Sequence, residues 1–150
     1  MNPETIFTPV VQSLIETAIK AAEAHTSCEL RVHIEDECPG DPLDRAAFIF
    51  AELQMHKTEL RNGILIYVAL ESRKTAIIGD VGINMHAESG YWDHIRDAML
   101  PFFVNGKYPE GIATAVEMVG HKMKAHYPVS HNDVNELPNT ISMRQNKKTT

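Results

Sequence analysis

Arg61-Asn62-Gly63-Ile64-Leu65-Ile66-Tyr67-Val68-Ala69-Leu70, then the polar Glu71-Ser72-Arg73, then Lys74-Thr75-Ala76-Ile77-Ile78-Gly79-Asp80, is the stretch that decides the fold. From Ile64 to Leu70 the chain is apolar at odd and even positions alike and rich in β-branched residues. That is the pattern of a central strand covered on both faces. The link to Lys74 is too short for a crossover helix, so the two strands pair as an antiparallel hairpin. Upstream, Leu30, Val32 and Ile34 alternate with Glu29, Arg31, His33 and Glu35 between Cys28 and Glu37. Period-two alternation predicts a strand with one buried face, and Pro39-Gly40 ends it.

Between these strands Asp41-Pro42 opens a helix whose apolar face is Leu43, Ala46, Ala47, Phe50 and Leu53. Such a β-α-β crossover is right-handed, which makes its two strands parallel. Working outward, Thr8-Pro9 starts a helix presenting Val11, Leu14, Ile15, Ala18, Ile19 and Ala22. A further helix is expected from about Tyr91 to Phe103, and a last one from near Pro109 that ends before Pro128. Residues 129–150 lack periodicity and read as a flexible C-terminal tail. The expected fold is α/β: a three-layer α/β/α sandwich over residues 1–128, Rossmann-like, with a small mixed sheet between helices.

With 150 residues, 20 acids against 14 bases and a net charge of -6, the chain has ordinary globular composition. The deficit of Lys and Arg excludes a general nucleic-acid binder and favours cations and basic partners. No apolar run approaches the roughly 20 residues of a membrane span. The start, Met1-Asn2-Pro3-Glu4-Thr5, has neither the bases nor the apolar segment of a signal peptide. A cytoplasmic monomer without a membrane anchor is therefore expected. Cys28 and Cys38, at opposite ends of the first strand and about 33 Å apart by strand rise, are expected to be free thiols.

The topology gathers distant residues at one end of the sheet. Glu29 begins the first strand, Arg61 and Asn62 precede the second, Asp80 ends the third, and Asp93 opens the helix beyond. Glu29, Asn62, Asp80 and Asp93 form a hard-oxygen set suited to Ca²⁺, with Mg²⁺ also possible. Arg61 would hold an anion or orient a carboxylate. At the other end, Asp36, Glu37, Asp41 and Asp44 crowd the loop after the first strand, a second candidate for a cation without EF-hand spacing. Asp41 and Asp44 have an alternative explanation as helix-start residues. No GxSxG, Walker loop, GxGxxG or HExxH occurs, and nothing marks a covalent nucleophile.

These motifs together resemble the TPM domain family. Thr26-Ser27-Cys28-Glu29-Leu30-Arg31-Val32 is similar to its opening strand. His56-Lys57-Thr58 with Arg61 to Ala69, and Ala76-Ile77-Ile78-Gly79-Asp80-Val81-Gly82-Ile83-Asn84, are similar to its two following strands. Tyr91-Trp92-Asp93 and Gly106-Lys107-Tyr108-Pro109-Glu110-Gly111-Ile112 complete the pattern, which covers roughly residues 4–128. Cys28 stands where the family usually has glycine. The resemblance implies an α/β/α sandwich without a nucleotide fingerprint. It brings two expectations of activity: calcium binding, as in some bacterial members, and the acid phosphatase activity proposed for chloroplast lumen members linked to photosystem II repair. Many members carry a signal peptide and a membrane anchor.

Two readings result. One is a Ca²⁺-binding module that regulates or docks a protein partner through its cation-ordered loops. The other is a metal-assisted acid phosphatase on phosphomonoesters, with Arg61 steadying the phosphoryl group.

Overall fold

The computed structural model describes residues 2–84, 90–129 and 135–147. Its elements in chain order are α1 (Pro3–Ile6), α2 (Pro9–Glu23), β1 (Glu29–Glu35), α3 (Pro42–Glu52), a short 3-10 turn (Met55–Lys57), β2 (Gly63–Ala69), β3 (Lys74–Gly79), α4 (Val81–Asn84), α5 (Tyr91–Val104), α6 (Tyr108–Met123) and β4 (Ser142–Arg144). The helix starts follow the expected chemistry. The Thr8 hydroxyl accepts from the Val11 N–H, and the Asp41 carboxylate accepts from the N–H groups of Leu43 and Asp44, each ahead of a proline in the first turn.

The sheet order is β3-β2-β1-β4. β1 and β2 are parallel with Glu29 opposite Gly63, and β2 and β3 are antiparallel with Ile64 opposite Gly79. Two apolar cores lie on the two faces, as a three-layer sandwich requires. Ile34, Ile66 and Val68 meet Ile19 of α2, Met99 of α5 and Val116 of α6 on one side. Leu65, Tyr67 and Ala69 meet Ala46, Ile49 and Phe50 of α3 on the other.

Three sequence expectations need correction. The alternation in β1 predicts one solvated face, yet all seven of its residues are buried. The polar face is roofed by α3 and by the chain's own C-terminal segment. That segment is the second correction, because residues 135–147 are not a loose tail. β4 pairs in parallel with β1, His33 opposite Ser142 and Glu35 opposite Arg144, and Leu137 and Ile141 are buried. A three-residue strand is too short to announce itself by periodicity. Residues 130–134 and 148–150 of the expected tail lie outside the described residues. Third, Leu14 and Leu43, placed on buried helix faces by their spacing, are exposed.

α4 was not expected, and it shapes one end of the sheet. Its Gly82 lies so close to the chain before β2 that a Cβ there would sit 2.3 Å from the Leu60 carbonyl oxygen. Only glycine allows that approach.

Candidate functional site

The amino ends of β1 and β2 and the carboxyl end of β3 meet at one edge, and Glu29, Asn62 and Asp80 stand there together. Backbone bonds join them: Glu29 N–H donates to the Asn62 carbonyl (3.1 Å), and Asp80 N–H donates to the Gly63 carbonyl (2.9 Å). All three are buried, at 3%, 2% and 6% exposure. Such burial of two carboxylates and an amide requires partners.

Most of those partners are visible. Arg61 grips Asp80 with two parallel bonds, Nε to Oδ2 and Nη2 to Oδ1, both 2.7 Å. Asp80 Oδ1 also accepts from the Val81 N–H at 2.7 Å, anchoring α4. The hydrogen bonds to Asp80 raise the Arg61 pKa above its ordinary value. Arg61 holds its fork in place with a left-handed backbone, φ 51°. Its side chain is nevertheless 46% exposed, so it covers Asp80 from the solvent side. Glu29 Oε1 accepts from the Glu136 N–H at 2.8 Å, so the C-terminal segment closes over this edge too.

Asn62 differs. Its Nδ2 donates to the Ser27 carbonyl at 2.7 Å, and its backbone N–H donates to the Thr58 hydroxyl. Its Oδ1, however, is buried with no hydrogen-bond partner among the described residues. A buried, unsatisfied amide oxygen costs free energy unless something occupies it.

Asp93 does not join this group by contact. It lies on α5, mostly exposed, and pairs with Arg96 one turn along at 3.4 Å. Among the described residues no three His, Cys, Asp or Glu side chains are gathered to hold a metal ion. The carboxylates that remain at the edge are Glu29 and Asp80, supplemented by the Asn62 amide.

The acidic loop is arranged differently from a cation cradle. Asp36 is buried and accepts backbone N–H bonds from Glu37 (2.8 Å), Asn146 (2.6 Å) and Lys147 (2.9 Å). Burial alone would raise its pKa, but these donors outweigh that and lower it. The Glu37 carbonyl accepts from the Asn146 side chain, Asp41 caps α3, and Asp44 stands exposed in the first turn of that helix. Much of the loop's acidity is thus spent on backbone donors, two of which, Asn146 and Lys147, come from the segment read as a tail.

The sequence reading missed a buried polar network on the α3 face of β1. Glu35 Oε2 accepts from Arg45 Nε (2.9 Å) and from the Tyr67 hydroxyl, and Oε1 accepts from Arg45 Nη2 (3.0 Å) and His33 Nε2 (3.0 Å). His33 Nδ1 meets the Ser142 hydroxyl of β4 at 2.9 Å, and its ring stacks on Tyr67. Burial pushes the Glu35 pKa up, but His33, Arg45 and Tyr67 together pull it down to about 2. Burial and Glu35 push the Tyr67 hydroxyl above its ordinary value. Alternation in β1 could have flagged Glu35 and His33 as sharing a face with Glu29. Nothing local points to Arg45, Tyr67 or Ser142 as their partners.

Both cysteines are buried, and neither forms a disulfide among the described residues. No helix among the described residues is long and apolar enough to cross a membrane.

An open mixed sheet, helices on both faces, and a polar edge where β1, β2 and β3 meet define an α/β domain without a nucleotide fingerprint. The TPM domain model matches residues 1–122, and the chain belongs to that family. Among solved structures it is similar to the BA42 protein of the psychrophilic bacterium Bizionia argentinensis. The two are 39% identical with a TM-score of 0.85, over 91% of this chain and 94% of that one. The fold is shared with the N-terminal domain of a P. gingivalis protein (19% identity, TM-score 0.71, 87% and 85% of the two chains). It is also shared with the N-terminal domain of cg2496 from Corynebacterium glutamicum (16%, 0.63, 82% and 78%). No curated protein matches the chain.

Proposed function

We propose that this TPM domain is a divalent-cation module. Ca²⁺ binds at the Glu29–Asn62–Asp80 edge and alters how that edge meets a protein partner. The observation that carries the reading is the buried Asn62 Oδ1, without a hydrogen-bond partner among the described residues, at an edge that also buries two carboxylates. Neutral amide oxygens with carboxylates are ordinary Ca²⁺ ligands. Arg61 competes with the cation for Asp80, so binding requires the guanidinium to swing out. Its exposure permits that, and the competition makes the site weak. Leu60 and Val81, both exposed, flank the edge and offer apolar contact to a partner.

The phosphatase reading draws less support from this geometry: Asp80 engages the Arg61 fork through Nε and Nη2, which leaves only its remaining N–H groups for a phosphoryl oxygen.

Calorimetric titration of the full chain with Ca²⁺ tests the proposal. Saturable binding, weakened in Asn62→Ala, supports it. Absence of saturable binding at millimolar Ca²⁺ removes it.

A further inference from the structure

The opposite end of the sheet carries a cavity that the cation edge does not use. Where β2 ends and β3 begins, the hairpin and the α5–α6 connection enclose about 370 Å³. Val68 forms part of its floor, Leu100, Phe103 and Val104 its apolar wall, and Arg73 and Lys74 its basic rim. The volume lies at the small end of ligand pockets, and apolar walls with few polar groups are their usual construction. In open α/β sheets ligands commonly bind at the carboxyl ends of strands, which is where this cavity opens.

The rim is basic in a chain whose net charge is -6. Arg73 is exposed, and its guanidinium has no side-chain partner among the described residues. Lys74 is also exposed and spends one donor on the Gly40 carbonyl at 3.2 Å, leaving two of its three free for another acceptor. Val104, at the cavity wall, is 84% exposed, an apolar surface that a ligand's hydrocarbon would cover.

We infer that this cavity binds a small amphipathic carboxylate, its hydrocarbon part against Leu100, Phe103 and Val104 and its carboxylate between Arg73 and Lys74. Charge complementarity selects an anion, and the apolar wall selects one with a hydrocarbon tail. Arg73 suits a planar carboxylate because its fork presents paired donors.

Amide NMR of the full chain, titrated separately with octanoate, octanol and acetate, tests this. Octanoate is expected to bind saturably, with its largest shifts at Leu70, Arg73, Lys74 and Val104. Octanol and acetate should each bind more weakly, since each lacks half of the recognition. Arg73→Gly keeps the fold, because the backbone there is left-handed at φ 55°. It and Lys74→Gln should each weaken octanoate by about tenfold, the worth of one charge-assisted bond, with octanol unchanged. Val104→Glu, exposed at the mouth, should abolish octanoate binding by repulsion. Octanol or acetate binding as tightly as octanoate would overturn the inference, as would octanoate shifts centred elsewhere or absent. Concentration-dependent shifts at the cavity without ligand would assign it to a second copy of the chain instead.

Discussion

β1 begins and ends on a buried glutamate, and the two are treated differently. Glu35 sits in a network where Arg45, Tyr67 and His33 meet both of its oxygens, and Ser142 meets the far side of His33. Glu29 receives a backbone N–H from Glu136, and the neighbouring Asn62 Oδ1 is left without a hydrogen bond among the described residues. Completed polar networks rigidify and specify a core. An incomplete one beside carboxylates is where a ligand gains most. The Glu35 end is therefore read as structure and the Glu29 end as function, although both are acidic, buried and on the same strand.

The sharpest way to break that contrast is to remove what both ends share. The C-terminal segment donates to Glu29 through Glu136 and reaches the Glu35 network through Ser142. A chain ending at residue 128 loses buried Leu137 and Ile141 as well. At about 1.5–3 kcal/mol per buried aliphatic side chain, urea unfolding should show a loss of roughly 3–6 kcal/mol. A change near zero would restore the view of a dispensable tail.

Next in size, Glu35→Ala should cost about 3–5 kcal/mol, because it strands Arg45 in the interior without its carboxylate. Ca²⁺ binding should survive wherever the variant remains folded. The same residue sets a pH dependence. Its folded pKa, held at about 2 by His33, Arg45 and Tyr67, lies below the ordinary glutamate value of 4.5. Its stabilising contribution is therefore full above pH 4.5 and lost as pH falls toward 2. Unfolding free energy measured across that window should drop by a few kcal/mol in the wild type. The Glu35→Gln variant should lack that portion of the drop.

At the other end the expected effects on stability are smaller and those on binding larger. Asn62→Ala loses the bond to Ser27 but also removes an unsatisfied acceptor, so thermal denaturation should register only about 1 kcal/mol. A loss as large as that from Glu35→Ala would make Asn62 a structural residue like its counterparts in the network.

The fold was largely legible because its signals are local. Gly63 to Ala69 is apolar at every position, the hairpin follows from a short polar link, and prolines mark the starts of α2, α3 and α6. The edge was legible through topology, since parallel β1 and β2 and returning β3 bring Glu29, Asn62 and Asp80 together. The helix residue Asp93 was placed by proximity in sequence, but its side chain turns to Arg96. β4 escaped notice because three residues carry no period, and its stability comes from pairing with a strand more than a hundred residues away. The Glu35 network escaped with it, since the partners of Glu35 lie on α3 and β2 and His33 reaches on to β4. Alternating charges on a strand look solvated until the element that covers them is known.

Amide chemical-shift mapping of Ca²⁺ binding in the wild type and in Arg61→Gly tests the central claim most directly. Glycine accepts the φ of 51° and removes the competitor for Asp80. Saturable shifts centred on Glu29, Asn62 and Asp80 are expected, with several-fold tighter binding in the variant. Shifts confined to the Asp36–Asp44 loop, or an affinity that Arg61→Gly leaves unchanged or weaker, would contradict it.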